Sequence, residues 1–560
     1  MPQFCINRAA MRSVQVQLTR RERVERRFGL LQSRLIGAWP GPLGKGLDRG
    51  VHTPHIPQVD LYGLTAIIVH PLKRLVTQTA VYGISSIVGR FINYLLVPLF
   101  TYYFTPLEYG VISEFYAYAG FFAVLLAFGF ETGYFRFRDP EGREPDIVYA
   151  TALRFLLAAN LLFFLVLLAT SASLAQALRH GDHSEYVVWM AAILAMDAVG
   201  AIAFARLRAQ EKALRFAAIK VVEILVNVAL CLFLIVYCRG IHEQSPDSMF
   251  GALWNPAVGV GYIFIANLLA SGAKLLLLAP QLRGVVYGFD AALFGRMLRY
   301  SLPMVIIGFA GVVNEMLDRA LMKYLLPYDP ETNLAQLGIY SACYKLSILM
   351  SLFIQAFRYA GEPFFFAHAK QPDATQTYAA VLNYFVIFCV FIFLLVTLYI
   401  DIFQYFIGAA FRAGLEVVPV LLFANLLLGV YVNLSIWYKL TDRTLMGAWV
   451  SIGGALITIG CLLWWVPRFG YIGAAWATLA CYAGMVLASY LLGRRYYPVP
   501  YDLKRIGSYI GLGIVLYLVN EQIVRHTDAP PLLSASVLLL IYLAAAYALD
   551  GRKLRRRVAR

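Results

Sequence analysis

Charge is the first thing this chain has little of: Asp, Glu, Lys and Arg make up 14% of its 560 residues, where soluble domains carry about a quarter. Hydrophobic residues reach 60%. One soluble core cannot hide that much apolar surface, because cores stop growing near ~250–300 residues. Cysteine is also sparse. Of seven, six (Cys231, Cys238, Cys343, Cys389, Cys461, Cys481) lie in or at the ends of apolar runs, with no CxxC pair and no His at ligand spacing. They read as small hydrophobes, so neither a disulfide framework nor a metal site is expected. Gly44-Lys45 is followed by Gly46 instead of Ser or Thr, which excludes a P-loop and with it a built-in ATPase. The alternating ~10-residue segments of an outer-membrane barrel are missing too.

What is there is a series of long apolar runs, which must be helices if they cross lipid, because backbone polar groups in a bilayer need partners within the segment. Fourteen spans are expected: 75–104, 110–133, 147–170, 186–205, 216–238, 257–279, 298–325, 336–357, 379–400, 416–438, 447–467, 471–492, 505–521 and 533–549. The fold class is therefore all-α and polytopic.

The formal charge of +16 flanks this apolar body: residues 1–74 hold twelve basic and four acidic residues, and the tail 550–560 holds six basic and one acidic. A basic balance invites a nucleic-acid reading, but charge placed beside membrane spans argues against one. Residues 1–74 lack the apolar core of a secretory signal and read as a disordered cytosolic extension; 550–560 reads as a basic cytosolic tail.

Loop charge tests the span count, since Lys and Arg favour cytosolic loops. Alternate loops hold twenty-four basic residues with the tail included, while the intervening loops hold five: Arg179, Arg239, Arg412, Arg468 and Arg525. That alternation places both termini in the cytosol and makes the number of spans even. The basic-poor loops are short, so a catalytic ectodomain has nowhere to fold.

An internal repeat emerges on comparing spans one and seven. Asn93 precedes Thr105-Pro106 and Asn314 precedes Leu326-Pro327 by the same interval, and Gly110-x-x-Ser113 and Gly338-x-x-Ser341 open the next helices. The second copy carries seven extra residues, expected in its loop. Both spans run in the same direction. Two six-helix lobes follow, 75–279 and 298–492, with two appended helices at 505–549.

The stretches Pro98-Leu99-Phe100-Thr101…Thr105-Pro106-Leu107-Glu108-Tyr109-Gly110 and Leu317-Asp318-Arg319-Ala320-Leu321…Leu337-Gly338-Ile339-Tyr340-Ser341-Ala342 resemble bacterial polysaccharide flippases. These are the Wzx-type members of the multidrug/oligosaccharidyl-lipid/polysaccharide (MOP) exporter superfamily, which also holds the MATE transporters. The resemblance covers roughly residues 72–500. It implies two lobes around a central cavity open alternately to either side, and a cargo of undecaprenyl-pyrophosphate-linked oligosaccharide moved across the bacterial inner membrane for O-antigen, capsule or exopolysaccharide assembly. Partners would be the bilayer, the lipid-linked cargo, and polymerase and other assembly proteins. The long basic N-terminus and the insert before Gly338 depart from the family pattern.

Ionisable groups at mid-bilayer cost at least ~2.5–3.5 kcal/mol and by default face a cavity or a partner. Arg90, Asp197, Glu315 and Lys345 sit near the middles of their spans, and Asp318, Arg319 and Lys323 share a helical face with Glu315. Arg90, Arg319, Lys323, Lys345 and Lys274, with Asn93 and Asn314 of the repeat, are the candidates for binding a pyrophosphate headgroup. Glu315, Asp318 and Asp197 are the candidates for taking up a coupling proton or sodium ion; no other cofactor is expected. The plainer reading pairs Glu315 with Arg319 and Asp197 with Arg90. Lys220 and Glu223 are spaced as an i,i+3 pair, and Glu114 lies near a span end. Aromatic residues such as Tyr102, Tyr109, Trp464 and Trp465 read as an interfacial belt; any that stack on sugar rings cannot be picked out by periodicity. Two alternative functions stay open, a cation-coupled multidrug exporter and a membrane polymerase or glycosyltransferase.

Overall fold

The computed structural model describes residues 88–138, 145–283, 288–369, 371–527 and 530–551. The basic extension, most of the tail and the start of the first expected span lie outside them. Among the described residues every regular element is helical.

Residues 88–94 are helical and lead into α1 (Leu96–Tyr103). Then α2 (Pro106–Ala127) starts on a capping box: Thr105 accepts from the Glu108 backbone N–H while the Glu108 carboxylate accepts from that of Thr105, with Pro106 in the first turn. Next come α3 (Phe130–Phe137), α4 (Pro145–Ala177), α5 (Ser184–Ala209) and α6 (Ala213–Cys231), which continues through a π-helical turn at Leu232–Cys238. α7 is Gly261–Leu282 and α8 is Ala291–Leu325, with Pro303 inside it. There follow α9 (Pro330–Leu346), α10 (Ile348–His368), α11 (Ala374–Leu398), α12 (Val417–Leu434) and α13 (Thr444–Tyr496). α14 (Leu503–His526) and α15 (Pro531–Ala546) close the chain.

Eleven of these helical stretches are long and apolar enough to cross a membrane, or twelve if the bent pair α9–α10 counts as one span. The expected fourteen is not reached on this count, for two visible reasons. The first span is only partly within the described residues. And α13 runs for 53 residues, ~80 Å at 1.5 Å per residue, more than twice a ~30 Å hydrocarbon core. It breaks at Gly470 (φ 63°, ψ −148°), between the expected spans 447–467 and 471–492.

The expected continuous span 336–357 is also corrected. The chain bends by 50° between Leu346 and Ile348. At the joint the Ser347 hydroxyl donates to the Tyr344 carbonyl (2.7 Å) and accepts from the Asn425 amide of α12 (3.1 Å). A side chain pressed into the backbone ladder is a common cause of such kinks. The seven extra residues are not all loop either. α9 starts at Pro330, capped by Asp329, whose carboxylate accepts from Thr332 N–H (2.9 Å). That hydrogen bond holds the Asp329 carboxyl below its usual pKa. Much of the insertion thus lengthens the helix.

α4, α6 and α7 gather around α5, while α11 and α13 flank α12, and α14 and α15 pack on α11. α8 lies against α13 and α2, and α2 runs along α9. The α2–α9 contact is reciprocal. A Cβ on Gly110 would run into the Leu334 carbonyl oxygen, and one on Gly338 would run into that of Pro106. Each glycine faces the carbonyl four residues before the other, so the repeated Gly-x-x-Ser motifs meet face to face. Small residues allow such backbone approach. The Gly129–Gly133 pair plays a similar part on α8, where both glycines face Ser301.

The end of the molecule that carries the basic-poor loops is sealed. Phe411 stands edge-on to Tyr109 at 5.5 Å, Phe406 stacks on Tyr94 at 4.3 Å, and the Gly408 N–H donates to Thr101 Oγ1 at 3.1 Å. The segment 404–414 thereby caps the ends of α1 and α2.

Candidate substrate and coupling sites

Among the described residues, three charged clusters on the helices hold most of the charged candidate residues. The first belongs to α8 and α9. Asp318 is buried and accepts from the Tyr340 hydroxyl (2.6 Å) and the Arg319 backbone N–H (2.8 Å). The Arg319 guanidinium lies over the Tyr344 ring, 4.0 Å from its centroid, a cation–π contact. Its Nη2 is buried and, among the described residues, has no hydrogen-bond partner. Lys345 is half-buried on the same helix pair, and Glu315 is exposed. No ion pair joins Glu315 to Arg319, so the plainer reading of that pair does not hold in this conformation. A guanidinium with an unused buried donor is costly in a protein, and it is the donor geometry an anionic phosphate oxygen satisfies.

The second cluster joins α5, α6 and α7. Asp197 accepts from Lys274 Nζ (2.5 Å) and Ser271 Oγ (2.8 Å). Lys274 also reaches Glu223 (2.6 Å), which takes a second ion pair from Lys220 (3.0 Å), the i,i+3 partner expected. The Lys274 side chain is 3% exposed and that of Asp197 45%. Asp197 is therefore matched by Lys274 and not by Arg90. Lys274 is held between two carboxylates rather than offered to a ligand.

The third cluster was not legible in the sequence. At the basic-poor end, Glu114 of α2 is fully buried and lies 2.5 Å from Lys323 Nζ of α8. Lys323 also donates to the Leu178 carbonyl (2.6 Å). The other carboxylate oxygen of Glu114 meets His180 Nε2 (2.9 Å), and the Tyr118 hydroxyl donates to the first (2.7 Å). Tyr118 in turn meets the Tyr324 hydroxyl at 3.2 Å. Lys323 is thus a key in a socket built by α2 and the α4–α5 turn. Glu114 sits near a span end, and nothing local to it in the sequence signals partners as distant as His180 and Lys323.

The remaining candidates separate. Arg90 and Asn93 are exposed on the first helical stretch. Asn314 is buried and donates to the Ser451 carbonyl (3.1 Å), tying α8 to α13. Among the described residues no group of three or more His, Cys, Asp or Glu is placed to hold a metal.

The family described as "Polysaccharide biosynthesis protein" matches residues 75–367, more than half of the chain. The chain belongs to that family. Among solved structures it is similar to one described as "Lipid II flippase MurJ, inward closed conformation", with TM-score 0.62 and 13% identity over 84% of this chain and 99% of that one. It is also similar to an "inward-facing conformation of a multidrug resistance MATE family transporter of the MOP superfamily", with TM-score 0.55 and 15% identity over 74% and 94%. No curated protein matches. At such identities the likeness is one of fold. Family and fold agree with the resemblance carried by the Thr105–Gly110 and Asp318–Ala342 stretches. This polysaccharide-family member is a multi-pass membrane protein whose fold resembles that of the solved flippase and transporter above.

Proposed function

We propose that the protein moves an undecaprenyl-pyrophosphate-linked oligosaccharide from the cytosolic to the outer leaflet of the bacterial inner membrane by alternating access, serving cell-surface polysaccharide assembly. The observation that carries this reading is Arg319, a cation in the last third of α8 whose buried Nη2 has no hydrogen-bond partner among the described residues. In a polysaccharide-family chain, a pyrophosphate bridging lipid and sugar is the ligand that such a donor suits. Lys345, half-buried on the same helix pair, adds positive charge for the same headgroup.

In this reading the basic-poor end is the outer face, both termini are cytosolic, and the helices divide into lobes at 75–279 and 298–492. The conformation is then the one closed to the outside, latched by Lys323 in its Glu114 socket and by the Gly110–Gly338 contact. Opening the outer side requires Lys323 to leave Glu114. Asp197, exposed and shared with Lys274, is the carboxylate best placed to exchange a proton or sodium ion, since neutralising it releases one hold on Lys274. Glu315 and Asp318 are further coupling candidates. Polymerase and other assembly proteins would take up the cargo once flipped.

The fold is shared with multidrug transporters, so the test separates the two cargoes. Purified protein in liposomes holding fluorescent undecaprenyl-pyrophosphate oligosaccharide is followed for leaflet transfer, with and without an imposed proton or sodium gradient, beside Arg319→Ala and Arg90→Ala. Gradient-dependent transfer lost on Arg319→Ala supports the reading. Export of a small cationic dye with no lipid transfer would move the assignment to a multidrug exporter. Polymerised or newly glycosylated product would point to a polymerase or glycosyltransferase.

A further inference from the structure

A cleft of about 750 Å³ opens at the basic-poor end, between the α8–α9 connection and the Gly470 turn of α13. Tyr328, Gln336, Trp465, Arg468, Phe469 and Trp476 line it. Each is brought there by its element. Asn333 clamps the connection by donating to the Lys323, Leu326 and Tyr328 carbonyls (3.1, 2.9 and 3.2 Å), and so sets the position of Tyr328. Gly470 takes a conformation that L side chains rarely adopt, turning the chain so that Trp465 and Trp476 face one space from either side. Arg468 is fixed through one nitrogen, which donates to the Trp464 carbonyl (2.8 Å).

The polar inventory of this cleft separates it from a lipid groove. Among the described residues, the Trp465 and Trp476 indole N–H groups, the Gln336 amide and the Tyr328 hydroxyl have no protein hydrogen-bond partner, and Arg468 keeps unused guanidinium donors. In contact with acyl chains each such group would carry an unmet desolvation cost. Flat aromatic faces flanked by free donors and an amide match a sugar, whose C–H face stacks on a ring while its hydroxyls take hydrogen bonds. The volume suits a short run of sugars rather than one.

We infer that this cleft is a saccharide-binding site on the release side, holding sugars of the oligosaccharide distal to the pyrophosphate. The inference rests on the flippase reading. The pyrophosphate group at Arg319 and the sugars at Trp476 and Arg468 are then two separate subsites on one cargo, and chain length becomes a property the protein reads.

The experiment compares two cargoes in proteoliposomes: undecaprenyl pyrophosphate carrying one hexosamine, and the same carrier bearing five sugars. Trp476→Ala and Arg468→Ala are expected to slow transfer of the five-sugar cargo about tenfold, the change expected on losing an aromatic stack or a charged hydrogen bond. Transfer of the one-sugar cargo should stay at the wild-type rate. Trp476→Phe, which keeps a ring, should recover most of the loss. Equal rates for both cargoes in the variants, or equal slowing of both, would overturn the inference while leaving the flippase reading intact. A wild-type protein that moves neither cargo would remove the flippase reading and the inference with it. Quenching of cleft tryptophan fluorescence by brominated lipid and not by aqueous acrylamide would assign the cleft to lipid and also overturn it.

Discussion

Lys323 and Glu114 are each almost fully buried, and a buried ion pair is worth most when one asks what its loss leaves behind. Removing one partner strands the other charge, at ~3–5 kcal/mol, whereas replacing both by apolar groups is often neutral. Lys323→Ala should therefore destabilise the sealed conformation far more than Glu114→Gln combined with Lys323→Met. Cys343 is a native reporter of that seal: it is fully buried, with Sγ donating to the Phe411 carbonyl at 3.3 Å. With Cys343 as the sole cysteine, a membrane-impermeant maleimide should label Lys323→Ala at least about tenfold faster than the parent, and the double variant near the parental rate. Unchanged labelling of the single variant would refute the latch. Arg319 makes a different demand. Lys keeps the charge but lacks the planar fork and stacks poorly on Tyr344. Arg319→Lys should cost about tenfold or more in transfer of the pyrophosphate-linked lipid, measured in the liposome assay.

At the scale of the element, the glycines separate packing from propensity. Gly338 has backbone of α2 where a Cβ would stand, while Gly453 on α13 has nothing within 4 Å. Gly338→Ala should lower the thermal midpoint of the detergent-solubilised protein, because α2 and α9 must move apart. Gly453→Ala should hold or raise it, through a helix-propensity gain of at most ~1 kcal/mol. Gly470→Ala is strained for another reason: space is free around it, but its φ of 63° with ψ near −148° is a region almost closed to L residues, at ~1–3 kcal/mol. Scanning fluorimetry of the three variants ranks them, and an unshifted Gly338→Ala would show that the α2–α9 contact yields freely.

For the whole molecule the testable matter is which end faces out. Cysteines introduced singly into residues 239–256 should react with an impermeant reagent added to intact cells, and cysteines in 206–215 only after permeabilisation. The opposite pattern would invert the membrane orientation and with it the direction of transport. The same scan across 468–472 and 494–505 checks that α13 crosses twice, which its length demands but its continuous helical pattern conceals.

Most of the architecture was legible in the chain, since a bilayer imposes helices on any long apolar run and a bias on basic loops, and both depend on composition over ~20 residues rather than on distant contacts. The Gly110 and Gly338 motifs were readable because each stands after a matching Asn…x-Pro interval, so the two stretches can be compared. Tertiary structure decided who partners whom. Asp197 went to Lys274 and not Arg90, Lys323 to Glu114, Asn314 to Ser451. Helical spacing places charges on a face but cannot say which of several neighbouring helices the face meets, and so cannot tell a neutralised lysine from a free arginine. The bend at Ser347 and the grouping of Trp465, Trp476 and Tyr328 around one cleft arise in the same way. They depend on side chains from separate spans converging in space, and no window along the chain contains them.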